Sequence, residues 1–202
     1  LATVGRDGKA KCRPFMFAGE LDGKLWFCTN NTKEVYKDMQ ENPEIEISVS
    51  SPEYAWIRLH GKAVFENNMS ATKDKISIFL RGKIKNIGSE KLDEIFVKTP
   101  YIQAIYPGDT RAALEVFCLY EADGEYFDIS DPAHVTHDSI VIGHAQTLTA
   151  DYFVGNGCIG CKLCYSVCPQ KCIDIKSIDQ HRCLHCGRCA EICPKQTIVR
   201  RG

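Results

Sequence analysis

CIGCKLCYSVCP, from Cys158 to Pro169, returns as CLHCGRCAEICP, from Cys183 to Pro194. Both stretches obey one rule, C-x2-C-x2-C-x3-C-P. Cysteines three apart wrap a tight loop around three corners of a [4Fe–4S] cube, and the fourth thiolate has to come from elsewhere. Pro169 and Pro194 lack an N–H and hold φ near one value, which suits a sharp exit beside such a cube. Zinc would use C-x2-C pairs, two to a metal, without a third cysteine at the next step. A disulfide framework belongs to secreted chains, and no signal-peptide pattern is read here. The doubled spacing points to iron–sulfur chemistry.

This run resembles the bacterial-type two-[4Fe–4S] ferredoxins. The resemblance implies two [4Fe–4S] clusters with crossed ligands. One would be held by Cys158, Cys161, Cys164 and Cys193, the other by Cys183, Cys186, Cys189 and Cys168. Such a domain folds around its metal. It would occupy residues 151–202, with Tyr152–Val154 as its first strand and Ile173–Ile175 and Thr197–Val199 closing two small sheets. His185, inside the second loop, is expected to face water, with tuning of the cluster potential by a hydrogen bond as the other reading. Cys172 reads as a small buried thiol, with a ligand role left open.

The chain has 202 residues, 44% apolar and 25% charged, which suits one or two globular domains. No apolar run approaches the ~18 residues of a membrane span, so no membrane partner is expected. Leu1 opens in what reads as a strand, so further residues, in a helix, are expected ahead of it. Nine of the twelve cysteines lie between Cys158 and Cys193. Cys12, Cys28, Cys118 and Cys172 fall outside the ligand sets and read as reduced, half-buried thiols of a cytoplasmic protein. Residues 151–202 carry eight Lys/Arg and four Asp/Glu, or +4, while the whole chain is −1, leaving −5 for residues 1–150. Two oxidised cubanes with their thiolates would add about −4. The basic residues therefore balance clusters, and no nucleic-acid partner is expected.

Residues 1–67 read as strands joined by turns. Leu1–Val4 and Ala10–Phe17 flank the Asp7-Gly8 hairpin signature, and a second Asp-Gly turn at Asp22-Gly23 leads to Leu25–Thr29. Thr32 is placed to cap a helix over Lys33–Asn42, with Val35 and Met39 on one face and Pro43 past its end. Ile45, Ile47 and Val49 alternate with polar residues as in a half-buried strand. Tyr54–Phe65 reads as a longer strand, with Gly61 as a bulge. Ala71–Leu80 and Glu90–Val97 read as helices. Ala112–Tyr120 and Glu125–Ile129 read as a hairpin turning at Asp123-Gly124. This order suggests an α+β fold, a small antiparallel barrel with helices outside.

GKAKCRPFMF, DGKLWFCTNNTKEVYKDM and YAWIRLHGKAVFEN, in that order and spacing, resemble the pyridoxamine 5′-phosphate oxidase-like split-barrel flavoproteins. The resemblance covers residues 1–129 and implies an antiparallel split β-barrel, FMN and a homodimer with FMN at the interface. It implies that Arg13, Pro14 and Phe15 lie along the isoalloxazine ring, and that Thr29, Thr32 and Lys33 hold the phosphate. Hydroxyls, one cation and a helix N-terminus suit a dianionic phosphate. Trp56 matches a flavin-contacting position, with a packed barrel aromatic as the bland reading, and Arg58 shares its strand face. The chain departs from the oxidases in carrying a ferredoxin-like segment in place of their Arg-rich substrate signature.

Residues 130–150 read as a linker, with His134, His137 and His144 solvated or, in the alternative, ligating a metal. No G-x-G-x-x-G follows a strand, so no dinucleotide-binding domain is read. Two redox modules on one chain suggest electron transfer between clusters and FMN. A ferredoxin or similar donor and an organic acceptor would sit at the two ends. An electron carrier or redox sensor without a small-molecule substrate is the other reading.

Overall fold

The computed structural model describes residues 1–66, 90–145 and 151–201. The helix expected over Ala71–Leu80 lies outside them. The chain divides into two compact units, one of Leu1–Glu46 and His60–Ala122, the other of Ile47–Leu59 and Asp123–Gly202.

In the first unit, β1 (Ala2–Val4) and β2 (Ala10–Cys12) pair antiparallel across the Asp7-Gly8 turn, with Val4 opposite Ala10. Gly8 takes φ 73°, a left-handed conformation that costs a residue without Cβ nothing. Strand β3 (Phe17–Leu21) pairs with β4 (Lys24–Asn30) through Asp22 and Gly23, both left-handed. The single strand expected over Ala10–Phe17 is instead broken at residues 13–16, where Pro14 offers no ladder donor. Helix α1 (Glu34–Glu41) buries Val35 and Met39, and β5 (Glu44–Ser50) follows Pro43. The alternation expected in β5 fades along the strand: Ile45 is buried, Ile47 half-buried and Val49 exposed.

Strand β6 (Ala55–Phe65) and helices α2 (Glu90–Lys98) and α3 (Pro100–Ile105) lead to β7 (Leu114–Asp128). Leu92, Ile95, Phe96 and Ile102 from the helices pack on Trp26, Leu114, Val116 and Cys118 from the strands. Each fully buried large side chain there contributes about 1.5–3 kcal/mol. Trp26 Nε1 donates to Leu21 O at 3.1 Å, so its one polar atom is satisfied. Gly61 is a packing position: a Cβ there would stand 2.4 Å from Glu121 O.

The hairpin expected at Asp123-Gly124 does not form. β7 runs through it as one 15-residue strand. A Cβ on Gly124 would stand 2.0 Å from Arg58 O, so this glycine serves close approach of β6 and β7 instead of a turn. The strand order is β2-β1-β5-β6-β7-β4-β3, mostly antiparallel and open between β2 and β3 among the described strands. That is an α+β fold consistent with a split barrel.

In the second unit, β8 (Thr136–Ile142) pairs with β7. The stretch expected to be a linker thus contains a strand, and it is fastened to the cysteine-rich segment. Gln170 Nε2 donates to Pro132 O at 3.1 Å, while its Oε1 accepts from Val135 N at 3.3 Å. Asp138 binds His181. Strand β9 (Asp151–Val154) pairs antiparallel with β10 (Ile198–Arg201). Ile173 makes only an isolated bridge, to Ile178, where a second small sheet was expected. Helices α4 (Leu163–Val167) and α5 (Arg188–Ile192) each begin one residue before the third cysteine of their motif and carry it in the first turn.

Candidate iron–sulfur and flavin sites

The two cysteine stretches share one backbone. Left-handed residues recur at matching places: Gly160 and His185, Lys162 and Gly187, Lys171 and Gln196. In each copy the amide two residues past the first cysteine points at its sulfur, Gly160 N to Cys158 Sγ at 3.5 Å and His185 N to Cys183 Sγ at 3.4 Å. Such N–H donors stabilise a thiolate and raise the potential of whatever it ligates.

The sulfurs gather in two sets. Cys158, Cys161 and Cys164 line a cavity of about 790 Å³ together with Cys193 from the other motif. Cys183, Cys186 and Cys189 stand with Cys168, and with Cys172 beside it, around a cleft of about 20 Å³. Each loop thus meets the fourth cysteine of the other copy. All-thiolate donors with N–H groups aimed at sulfur fit a cubane. The first set surrounds room for one. Among the described residues no three His, Cys, Asp or Glu converge as around a single ion.

The fourth cysteines have a partner that the sequence reading missed. Thr197 Oγ1 lies 3.4 Å from Cys193 Sγ, and Cys172 Sγ lies 3.6 Å from Cys168 Sγ. Cys172 and Thr197 are equivalent positions of the repeat, four residues past the fourth cysteine. Aligning the two copies is the signal that would have found them. Hydrogen bonds from Thr197 pull the Cys193 thiol down to about 7. A hydrogen bond from Cys172, then one from His185, holds Cys183 at about 4. Cys172 itself is pushed far up by its bond to Cys183, by burial and by Cys168. While protonated, it can donate to its neighbours. Burial raises Cys189 to about 11.

His185 does not face water; its side chain is 12% exposed. Its ring meets His137 edge-on at 4.6 Å, His137 stacks on Phe127 at 4.2 Å, and Phe127 stacks on Trp56 at 5.3 Å. His137 is likewise buried, not solvated, with Nδ1 3.4 Å from Gln180 O and Nε2 3.5 Å from Glu125 Oε2. His134 is exposed beside Asp131, and His144 is exposed. Arg58 pairs with Glu125 on the same strands. All of these residues belong to the second unit.

The proposed phosphate residues lie in the first unit. Thr29 Oγ1 is buried without a partner. Thr32 does not cap α1; its hydroxyl and amide both donate to Asn30 Oδ1, at 2.7 and 2.8 Å, closing a local turn. The cap position falls to Lys33, and no side chain caps the helix. An orphaned hydroxyl, an uncapped helix start and an exposed lysine fit a phosphate. Arg13 donates to Thr3 Oγ1 at 3.0 Å, Pro14 is exposed, and Phe15 packs edge-on against Phe27 and Phe117.

Residues 1–105, more than half of the 202, match the family described as pyridoxamine 5′-phosphate oxidase. The chain belongs to the pyridoxamine 5′-phosphate oxidase family. Residues 157–197 match the 4Fe-4S dicluster domain, an addition to the oxidase-family unit. No curated protein matches. Similar solved structures include a NimC/NimA family protein from Clostridium acetobutylicum, at 22% identity and TM-score 0.49, covering 69% of this chain and 81% of that one. A second is a protein from the same organism related to general stress protein 26 of B. subtilis, at 15% identity and TM-score 0.45, covering 70% and 82%. A third is a pyridoxamine 5′-phosphate oxidase-related, FMN binding protein from Nostoc punctiforme, at 16% identity and TM-score 0.39, covering 69% and 84%. Among the described residues of this family member, no helix is long and apolar enough to cross a membrane.

Proposed function

We propose that the protein is an iron–sulfur flavoprotein oxidoreductase. It works in the cytoplasm as a homodimer with FMN at the interface and two [4Fe–4S] clusters in each chain. The observation that carries this reading is the stack Trp56–Phe127–His137–His185, which joins the second-motif loop to the β6 position where the family resemblance implies a flavin contact. When bound, FMN supplies two-electron exchange with an organic molecule and one-electron exchange with the clusters.

The chain's own residues hold and orient. The crossed cysteine sets hold the clusters, and the amides of Gly160, His185 and Thr197 steady the thiolates. Thr29, Thr32, Lys33 and the start of α1 hold the phosphate, while Arg13, Pro14, Phe15, Trp56 and Arg58 border the ring. Gln170 and Asp138 fasten the β8 segment to the cluster domain. A free connector of about 20 residues would instead wander over roughly 25 Å. Electrons come from a ferredoxin or similar donor and leave to a small organic acceptor, and the same parts serve the reverse flow.

The test is photoreduction of the anaerobic protein with flavin and cluster absorbances followed separately. Flavin reduction should trail cluster reduction at a rate independent of protein concentration. A rate rising linearly with concentration would replace the relay with two independent redox domains. Denaturation should release FMN, and Lys33→Ala should weaken its binding by about 1.5–3 kcal/mol, the scale of a hydrogen bond to a charged group. Unchanged affinity would remove Lys33 from the site.

A further inference from the structure

The two cluster loops differ in what covers them. In the second, His185 lies under His137 and beside Tyr152. Cys161 of the first and Cys186 of the second are both exposed, but around Cys161 Ile159 is 62%, Tyr165 44% and Ile175 47% exposed. These side chains belong to the rim of the large cysteine-lined cavity. Exposed Lys162, Lys171 and Lys195 stand on the same rim, and Lys176 follows Ile175. The exposed acids there, Asp174 and Asp179, accept backbone bonds from Ile175 N at 2.7 Å and His181 N at 3.1 Å. Lysines outnumber them on this face.

We infer that this lysine-rimmed apolar face is the docking surface for an acidic one-electron carrier protein. The inference rests on the proposed relay and names its outer end. An apolar centre with a charged rim is the anatomy of a transient protein interface, and the lysines select an acidic partner by steering its encounter. A carrier seated there lies beside Cys161. One electron leaves the carrier's reduced centre and reduces the first-motif cluster by one, with no bond made or broken. In the second loop Cys186 is also exposed, but His185 lies under His137 of β8 and no lysine stands among the residues around its cleft.

The experiment uses the anaerobic holoprotein and its Lys176→Glu/Lys195→Glu double variant, both lysines lying outside the ligand sets. Stopped-flow mixing with a reduced acidic [4Fe–4S] ferredoxin measures bimolecular cluster reduction. Reduced methyl viologen, a small cation that needs no docking, is the second probe. With the ferredoxin, the rate should fall tenfold or more in the variant and fall steeply with added salt. With viologen it should not fall. Equal ferredoxin rates in both proteins, or a salt-independent rate, would overturn the docking surface. An equal loss with viologen would also overturn it, by showing damage to the cluster. A monomer produced from a dimer by the substitutions would assign the face to a second copy of the chain instead. No cluster reduction by viologen in the unmodified protein would defeat the relay itself, which separates the two failures.

Discussion

The two copies of the cysteine motif are one local structure in two settings. The same positions turn left-handed, the same amides face the first sulfur, and the same short helix carries the third cysteine. What differs is the far side of each loop. The second copy places His185 where the first has Gly160, and an imidazole can reach the β7–β8 strands while a hydrogen cannot. The first copy places Lys162, Leu163 and Tyr165 where the second has Gly187, Arg188 and Ala190, so it presents a broad apolar and basic face. The cysteine backbone is repeated; the surroundings differ, with His185 of one loop turned under β8 and the apolar and basic side chains of the other turned outward.

The strongest test of that comparison swaps the loss. Cys168→Ala should remove the cluster of the second loop and Cys193→Ala that of the first. Each should leave about four of about eight iron atoms per chain. Iron and acid-labile sulfide analysis with spectra of the reduced protein would tell the two remaining clusters apart. If Cys168→Ala removed the first cluster, the ligands are not crossed.

A smaller effect is expected at His137. Substitution by Ala leaves a gap between Phe127 and His185 and should cost about 1–3 kcal/mol of stability, less than truncation of a large core side chain. It should also shift the spectrum and potential of the second cluster alone and slow its exchange with the flavin. His137→Phe should restore most of the stability. Equal shifts in both clusters would erase the contrast between inward and outward loops.

The smallest effects sharpen the internal symmetry. Thr197→Val removes a hydroxyl from Cys193 and should move the first cluster to more negative potential, on the order of tens of millivolts. Cys172→Val should do the same to the second cluster by less, because a thiol is the weaker donor. Redox titration monitored by spectroscopy of each cluster checks both. An unchanged potential in Thr197→Val would leave that hydroxyl a purely structural role.

Sequence alone carried much of the fold. The Asp-Gly turns, the α1 face of Val35 and Met39 and the long β6 strand were legible because each depends on residues near one another in the chain. The hairpin at Gly124 was misread, since the same Asp-Gly pair that closes a turn also permits two strands to approach. Only the position of the Arg58 carbonyl decides between them. His137 and His185 were misread as solvated for the same reason. A polar ring reveals its burial only through partners dozens of residues away.

The sequence by itself determined the doubled cysteine spacing and the family. Ligand spacing is set by how short a loop can wrap a cube, and the family is written in consecutive stretches of the first 105 residues. The tertiary structure alone decided that residues 136–142 are a strand, that Cys172 and Thr197 lie beside the fourth cysteines, and that His185 packs under His137. Those facts depend on contacts between segments that the chain separates, and no local spacing encodes which segments meet.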